Sequence, residues 1–302
     1  MNAMLSTDHF LEIDDLEKTE LFRILDRAAA IKSGREQPRL KEQTLGMLFE
    51  KPSTRTRISF ETGMTQLGGH AIFLGPDDIQ LGHGEPLADT ARVLSRYVDA
   101  VMARLFHHDD LLEIAAHADV PVINGLTDDA HPCQTIADLL TIREMYGGFD
   151  EVTVAWVGDG NNVGQSFVRG AAMVGLDLTV ATPPDYEMDE VVLKQAERLG
   201  PGPTIAETPD AAVNDADVVY TDVWVSMGQE DERTNKLDAF DGYQLNESLL
   251  ESSSADVLHC LPAHRGEEIT DAVLESDKAR VWDQAENRLH AQKGLLVELL
   301  DE

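Results

Sequence analysis

Short apolar runs alternate with amphipathic segments along the whole chain. Each run is too short for a typical helix and is bounded by polar or glycine residues, which is typical of a buried strand. These runs predict strands at residues 45–49, 70–74, 99–104, 120–124, 152–158, 177–181, 203–206, 217–222 and 256–261. Because strands alternate with helical patterns, the sequence predicts an α/β fold made of parallel sheets covered by helices.

Apolar positions three and four residues apart predict the helices between these strands. Phe60, Met64 and Leu67 mark one face of a helix, and Gly68-Gly69 supplies its end. The same spacing predicts further helices at about 86–97, 134–146 and 282–300.

The chain of 302 residues is long enough to bury two cores of ordinary size. Gly147-Gly148 follows the helix predicted at 134–146 and marks the best boundary between them. We therefore predict two domains, residues 1–146 and 147–286, each a parallel sheet covered by helices.

Acidic residues dominate the charge of the chain. Asp and Glu number 56 against 24 Lys and Arg, which gives a formal net charge of −32. The charges are scattered rather than gathered in one tail, and 42% of the residues are hydrophobic, so a folded protein is expected. Self-repulsion at this charge density predicts adaptation to a salt-rich cytoplasm; a merely acidic protein is the alternative. The sign of the charge disfavours nucleic acid and anionic membranes as partners.

Few features of the sequence indicate a particular cellular compartment. The two cysteines, Cys133 and Cys260, are too few for a disulfide framework. No run approaches 18 apolar residues, and the first ten residues lack a basic region followed by an apolar one. We predict a cytoplasmic protein.

The stretch Ser53-Thr54-Arg55-Thr56-Arg57 lies where a predicted strand turns into a predicted helix. A helix start offers unpaired N–H groups and a positive dipole end, which suit an anion. Arginine adds a planar group that matches phosphate or carboxylate oxygens. The alternative is an ordinary helix N-cap beside two surface arginines.

A glycine-rich turn at residues 157–164 closes one predicted strand and opens a helix. It partly imitates a dinucleotide-binding fingerprint, so an NAD-dependent oxidoreductase is a competing hypothesis. The spacing is Gly-x-Gly-x-x-x-Gly, and the next strand ends in Thr182-Pro183-Pro184 without an acid that would hold a ribose. The oxidoreductase hypothesis is therefore the weaker one.

Residues 53–57 resemble the carbamoyl-phosphate motif of the aspartate/ornithine carbamoyltransferase family. Further matches occur in the family's order at residues 80–85, 100–104, 131–134, 159–162, 222–228, 259–262 and 286–288. The resemblance extends from about residue 6 to residue 300. The segments 226–228 and 259–262 resemble the ornithine branch of the family rather than the aspartate branch.

The resemblance implies a reaction. The δ-amine of L-ornithine attacks carbamoyl phosphate to give L-citrulline and phosphate, without a metal or an organic cofactor. Another amine such as putrescine is the alternative within this fold, although it lacks the α-carboxylate that Asn162 and the Ser226-Met227 segment would bind. Arginine synthesis and citrulline breakdown both use this chemistry, so the direction stays open.

The resemblance also implies roles for individual residues. Catalytic roles fall to Cys260, Arg104 and His131. Residues expected to bind carbamoyl phosphate are Ser53, Thr54, Arg55, Thr56, Gln80, Arg104, His131, Gln134, Cys260, Leu261 and Arg288. Residues expected to bind ornithine are Asn162, Asp222, Ser226 and Met227.

The family's architecture implies two further features. The loop carrying Gln80 crosses to a neighbouring subunit, which implies a homotrimer or an assembly of trimers. The last segment, residues 287–302, packs back on the first domain.

The two cysteines leave two other chemistries open. A zinc site built from His131, Cys133, His259 and Cys260 is conceivable, although their spacing resembles no standard zinc module. A nucleophilic thiol of the kind found in hydrolases is the other possibility. We expect neither.

Overall fold

The computed structural model describes residues 5–76, 84–228, 230–251 and 253–300. Its strands are β1 Thr44–Phe49, β2 His70–Leu74, β3 Ala100–Arg104, β4 Val122–Leu126, β5 Thr153–Val157, β6 Asp177–Ala181, β7 Thr204–Ile205, β8 Val218–Thr221 and β9 Asp256–His259. Its α-helices are α1 Lys18–Lys32, α2 Thr54–Gln66, α3 Leu87–Leu94, α4 His108–His117, α5 Pro132–Tyr146, α6 Asn162–Val174, α7 Glu190–Leu199, α8 Pro209–Val213, α9 Arg233–Ala239, α10 Asp271–Leu274 and α11 Val281–Leu300.

Among the described residues the strands form two parallel sheets. The first has the order β2-β1-β3-β4, and the second has the order β7-β6-β5-β8-β9. Every strand pair within them is parallel. The predicted fold class is confirmed, and each predicted strand is present with ends that shift by at most two residues.

The shifts in strand ends have local causes. The prediction for β4 began at Val120, but Pro121 lacks an N–H for the ladder and the strand begins at Val122. β9 ends at His259, before Leu261, whose φ of 59° lies in the left-handed region and turns the chain away. The third helix is shorter than predicted and ends at Leu94, where the Ser95 hydroxyl donates to the Ala91 carbonyl.

The chain divides into two compact units. The first comprises the chain up to Leu140 together with the segment from Glu286 onward, and the second comprises Thr141–Ala285. The division lies inside α5, whereas the sequence predicts a boundary at the end of that helix.

The core of the first unit lies on the central strands of its sheet. β1 and β3 are buried nearly throughout, as expected of parallel strands covered on both faces. Leu48, Val101 and Val122 pack with Leu111 and Ile114 of α4 in one apolar cluster. This packing fixes the carboxyl ends of β1 and β3.

The final helix completes the first unit, as predicted. Glu298 on α11 accepts hydrogen bonds from Arg23 and Arg27 of α1. Gly294 lies so close to α1 that an added Cβ would be 2.8 Å from the Ile24 carbonyl oxygen. The close approach of these two helices therefore depends on glycine at this position.

The second unit packs around aromatic side chains on its sheet. Trp156 of β5 and Tyr220 of β8 meet edge to face with ring centroids 4.8 Å apart, and Phe167 of α6 covers both.

Within the described residues, no helix combines the length and the apolar character needed to span a bilayer.

Candidate active site

The turn from β1 into α2 carries the first group of predicted site residues. Ser53 is the N-cap of α2, and its hydroxyl accepts a hydrogen bond from the Thr56 N–H at 3.2 Å. Ser53 therefore caps α2, and its role toward an anion stays a prediction. Thr54 is exposed, whereas Ser53 and Arg55 are half-buried at the helix start. The positive end of the helix dipole is therefore presented beside an arginine.

Arg288 of α11 joins three elements of the first unit. Its Nη2 donates to the Thr56 hydroxyl at 3.0 Å, and its Nη1 donates to Gln134 Oε1 at 2.6 Å. Nη1 also lies 3.1 Å from His131 Nε2. All four side chains are buried. These contacts bring together four residues that the sequence predicts for one anion site.

His131 is held as a neutral imidazole. Burial lowers its pKa well below the usual 6.5, and the positive charges of Arg288, Arg104 and Arg55 lower it further. Since Arg288 can only donate, His131 Nε2 acts as the acceptor and Nδ1 carries the proton. Arg104, at the carboxyl end of β3, is 6% exposed. Three guanidinium groups thus act on one neutral ring.

Two residues that sequence reasoning missed support this group. Asp138, buried one turn along α5, accepts from Gln134 Nε2 at 2.7 Å and so orients the amide with its oxygen toward Arg288. Lys51, just before Ser53, is buried with its ammonium against Asp128 and 4.5 Å from the centroid of the Phe106 ring. The i, i+4 spacing of Gln134 and Asp138 on one helix face is the signal that could have indicated the first contact.

The turn from β5 into α6 carries the second group. Asn161 is the N-cap of α6 and accepts from the N–H groups of Val163 and Gly164. Its Nδ2 donates to Asp222 Oδ2 at 2.9 Å. Asn161 thus contacts Asp222 directly, and ornithine binding by its neighbour Asn162 stays a prediction. The Asn161 cap also occupies helix N–H groups that a pyrophosphate would need, which argues against the dinucleotide hypothesis.

Asp222 and Cys260 meet at the carboxyl ends of adjacent parallel strands. Asp222 follows β8 and Cys260 follows β9. The Cys260 thiol donates to Asp222 Oδ1 at 3.0 Å. Ligands of open α/β sheets bind at such strand ends.

A buried pair of side chains shapes the segment after β9. His259 Nδ1 accepts from the Leu261 N–H at 2.9 Å, and its Nε2 donates to Glu268 Oε1 at 2.9 Å. The His259 N–H donates to Gln284 Oε1. Leu261 precedes a cis bond to Pro262. The backbone at Leu261 is thus held in one conformation beside Cys260.

The cysteines do not favour a metal centre. Asp222, His259 and Cys260 offer ligand atoms within 4.8 Å of one another. Both ring nitrogens of His259 are already engaged, however, by the Leu261 N–H and by Glu268. Cys133 lies buried in the first unit, where burial raises its pKa to about 12 and its thiol donates to the Asn124 carbonyl. A protonated thiol is a poor ligand and a poor nucleophile.

Ser226 and Met227 lie in the segment between β8 and α9. Ser226 is half-buried, Met227 is 45% exposed, and Gly228 adopts a φ of 92°. Gln80 lies outside the described residues.

Comparison with family models covers both units. Residues 8–144 match "Aspartate/ornithine carbamoyltransferase, carbamoyl-P binding domain". Residues 150–299 match "Aspartate/ornithine carbamoyltransferase, Asp/Orn binding domain". Together the two models cover most of the chain.

Similar proteins share both the sequence and the fold. An ornithine carbamoyltransferase of Haloquadratum walsbyi is 77% identical over 299 residues, covering 99% of this chain and 100% of the relative. One from Archaeoglobus fulgidus is 54% identical and covers 97% of each chain. The solved ornithine carbamoyltransferase from Pyrococcus furiosus superposes with a TM-score of 0.93 at 48% identity, covering 99% of this chain and 98% of its own.

Proposed function

This chain belongs to the aspartate/ornithine carbamoyltransferase family, and we propose that it transfers the carbamoyl group of carbamoyl phosphate to the δ-amine of L-ornithine. The products are L-citrulline and phosphate. The observation that carries the choice of ornithine is the Asp222–Cys260 contact at the carboxyl ends of β8 and β9. This contact places the Asp222 carboxylate, which can pair with the α-ammonium of ornithine, next to the Cys260 thiol, which can lie beside the δ-amine.

The first unit binds carbamoyl phosphate in this proposal. The phosphate carries negative charge, which Arg55, the start of α2 and the group around Arg288 stabilise. Arg104, His131 and Gln134 then serve the carbamoyl oxygen, which becomes more negative as the amine attacks. Their buried positions keep these donors strong, because little water competes for them.

The second unit binds ornithine. Asp222 pairs with the α-ammonium, while Asn162 and the Ser226-Met227 segment receive the α-carboxylate. Leu261 supplies a backbone carbonyl to the carbamoyl amino group, and Cys260 lies beside the δ-amine. Support for this assignment is that Asp222 and Cys260 are in contact within one unit.

The chemistry is a direct transfer between two substrates. The lone pair of the neutral δ-amine forms a bond to the carbamoyl carbon, and the carbon–oxygen bond to phosphate then breaks. The electron pair of that bond leaves with the phosphate. The proton lost by nitrogen passes to phosphate, to water, or to Cys260 once the thiol has given its own proton to Asp222, to which it donates a hydrogen bond. Holding both substrates in place and stabilising the developing charge account for catalysis.

The test compares three amines side by side. Citrulline formation is measured with carbamoyl phosphate and ornithine at high salt, and product formation is measured in parallel with putrescine and aspartate. We expect turnover with ornithine and little with the other two. Faster turnover with putrescine would overturn the choice of substrate, and turnover with none of the three would overturn the proposed function.

We further propose a homotrimer, or an assembly of trimers. Ile58 of α2 and Ile72 of β2 are 56% and 40% exposed, and β2 is an edge strand of its sheet. Exposed apolar residues on and next to an edge strand suit a surface that another subunit covers. Sedimentation in molar KCl should give three chains or a multiple of three, and a monomer would contradict the proposal.

The cellular setting is the last part of the proposal. We place the enzyme in a salt-rich cytoplasm, within arginine metabolism, on the strength of the net charge of −32. The similar protein from Haloquadratum walsbyi is consistent with this setting.

A further inference from the structure

Lys236 of α9 is a buried cation that the reaction does not use. Its side chain is 3% exposed. Burying a charge is costly unless hydrogen bonds and an opposite charge compensate it. Lys236 Nζ donates to Asp159 Oδ2 at 2.6 Å and to the Trp224 carbonyl at 2.8 Å, and it lies 5.3 Å from the Tyr186 ring centroid.

The partners of this ammonium lie on both sides of the amino-acid-binding elements. Asp159 is in the turn between β5 and α6, two residues before Asn161. Trp224 is two residues before Ser226, and Lys236 itself is on the helix that follows the Ser226-Met227 segment. The Lys236 ammonium therefore connects the glycine-rich turn with Trp224, which precedes the Ser226-Met227 segment, and with α9, which follows it.

Aromatic packing reinforces the same connection. Trp224 stacks on Phe240, at the end of α9, with ring centroids 5.1 Å apart. Phe240 also packs against Tyr186 at 5.1 Å. On the side of the turn, the Trp156 indole N–H donates to the Asp159 carbonyl at 3.0 Å. The residues on either side of the Ser226-Met227 segment, Trp224 and α9, are thus fixed by packing, whereas Met227 itself is half-exposed.

We propose that Lys236 is a positioning residue for the amino-acid substrate: its ion pair with Asp159 holds the Ser226-Met227 segment against the turn that carries Asn161 and Asn162. This inference rests on the proposed function of the second unit. A site held in one geometry before the substrate arrives binds more tightly, because less ordering accompanies binding. Loss of the pair should therefore weaken the use of ornithine and spare carbamoyl phosphate.

A role in stability alone would have a different signature. Removing only Lys236 leaves a buried carboxylate without its partner, and such a variant can fail to fold for that reason. The double variant Asp159→Leu with Lys236→Met removes both charges at similar volume, a change that often preserves stability. Asp159→Asn is a milder alternative, since the amide oxygen still accepts from Lys236 but carries no charge.

The experiment measures the KM for each substrate by citrulline formation at high salt. For the folded double variant we expect a KM for ornithine raised about tenfold or more, with the KM for carbamoyl phosphate within about twofold of wild type. Asp159→Asn should raise the KM for ornithine about threefold, and Lys236→Arg should stay closer to wild type because it retains the charge. Lys194→Met removes an exposed ion pair with Glu190 in the same unit and is the matched control.

Hydrogen exchange at residues 222–228 gives a readout that does not require activity. Exchange there should become faster in the double variant and in Asp159→Asn, and should not change in Lys194→Met. An unchanged KM for ornithine in either variant, or an equal rise in both KM values, would overturn the inference while leaving the proposed function intact. If the wild type makes no citrulline, the proposed function fails, and unchanged exchange at these residues would then overturn the positioning role as well.

Discussion

Three guanidinium groups around His131 set the chemistry of the first unit at the residue scale. Arg288, Arg104 and Arg55 all lower the pKa of the imidazole, and burial lowers it more than any of them. Because the ring itself stays neutral, the cluster keeps its positive charge, which the proposed function uses to bind carbamoyl phosphate. Gln134 is fixed between Asp138 and Arg288, so its amide oxygen points in one direction.

Arg55→Ala should impair the use of carbamoyl phosphate. Losing a charge-assisted contact costs about 1.5–3 kcal/mol, which corresponds to a fall in kcat/KM of at least about tenfold. This fall in kcat/KM is measured by steady-state kinetics in which carbamoyl phosphate is varied at saturating ornithine. Arg57→Ala is the control, since Arg57 pairs with Glu61 and stacks on Phe73 on the outer face of α2. Equal kinetics for wild type and Arg55→Ala would remove Arg55 from the site.

The lowered pKa of His131 predicts a pH dependence of stability. The folded protein binds the proton more weakly than the unfolded chain, whose imidazole titrates near 6.5. Stability from this group is therefore fully present above about pH 6.5 and decreases as the pH falls through the window below it. Because many carboxylates titrate at lower pH, the quantity to measure is the difference in unfolding free energy between wild type and His131→Asn from pH 8 to 5. A constant difference would contradict the neutral, buried ring.

Cys260→Ser tests the proton acceptor. An alkyl amine such as the δ-amine of ornithine has a pKa of about 10.4 in water, so the rate should rise with pH above neutrality. The variant should fold, turn over more slowly and show an altered pH profile, with little change in the KM for carbamoyl phosphate. Cys133→Ala, in the first unit, should keep the wild-type profile. If wild type and Cys260→Ser have the same pH profile and the same rates, phosphate or water must accept the proton instead of Cys260.

At the scale of elements, the helix α11 connects the fold with the site. Its amino-terminal half supplies Arg288, and its carboxyl-terminal half docks on α1 through Glu298. The Glu298 side chain is 2% exposed, and it accepts from both Arg23 and Arg27. A shift of this helix would move Arg288 away from Thr56 and Gln134.

Glu298→Ala should destabilise the protein by about 1.5–3 kcal/mol, the range for hydrogen bonds to charged groups. Arg27 also pairs with Glu36, which is 46% exposed. Removing Glu36 instead should cost less than about 1 kcal/mol, because exposed ion pairs contribute little. Chemical denaturation at one high salt concentration will give the loss in unfolding free energy for the Glu298 variant and for the Glu36 variant. Equal losses would mean that burial of Glu298 does not matter.

The sequence predicted elements better than contacts. Apolar runs located β1 and β5 because buried parallel strands need continuous apolar residues. The family motif includes Asn161 but assigns it no role, although this residue caps α6 and contacts Asp222. Finding that contact requires the backbone direction at the turn, which no periodicity encodes. The sequence did not indicate Lys236, since only its tertiary position makes it a buried cation.

At the scale of the whole molecule, charge is the dominant property. A net charge of −32 means that the compact state repels itself wherever salt does not screen it. The buried ion pairs of Glu298 and Lys236 lie away from solvent and are screened less. Salt should therefore act mainly through the acidic surface.

Activity and folded structure should both decline as KCl falls from molar concentration to about 0.1 M. The screening length rises from about 3 Å to about 10 Å over this range, so repulsion between surface carboxylates grows. Circular dichroism and citrulline formation after equilibration at each concentration will test the prediction. Full stability in dilute buffer would refute salt adaptation and leave the proposed reaction untouched.

The division of the chain has a consequence for its synthesis. The first unit is not complete when the ribosome has passed Leu140, because it also requires the segment from Glu286 onward. Arg288, which binds Gln134 and Thr56, is translated after every residue of the second unit. A nascent chain that stops before this segment therefore lacks the helix that closes the anion site. The buried group around Arg288 therefore assembles only after the whole second unit has been translated, and we expect products that stop earlier not to retain carbamoyl phosphate.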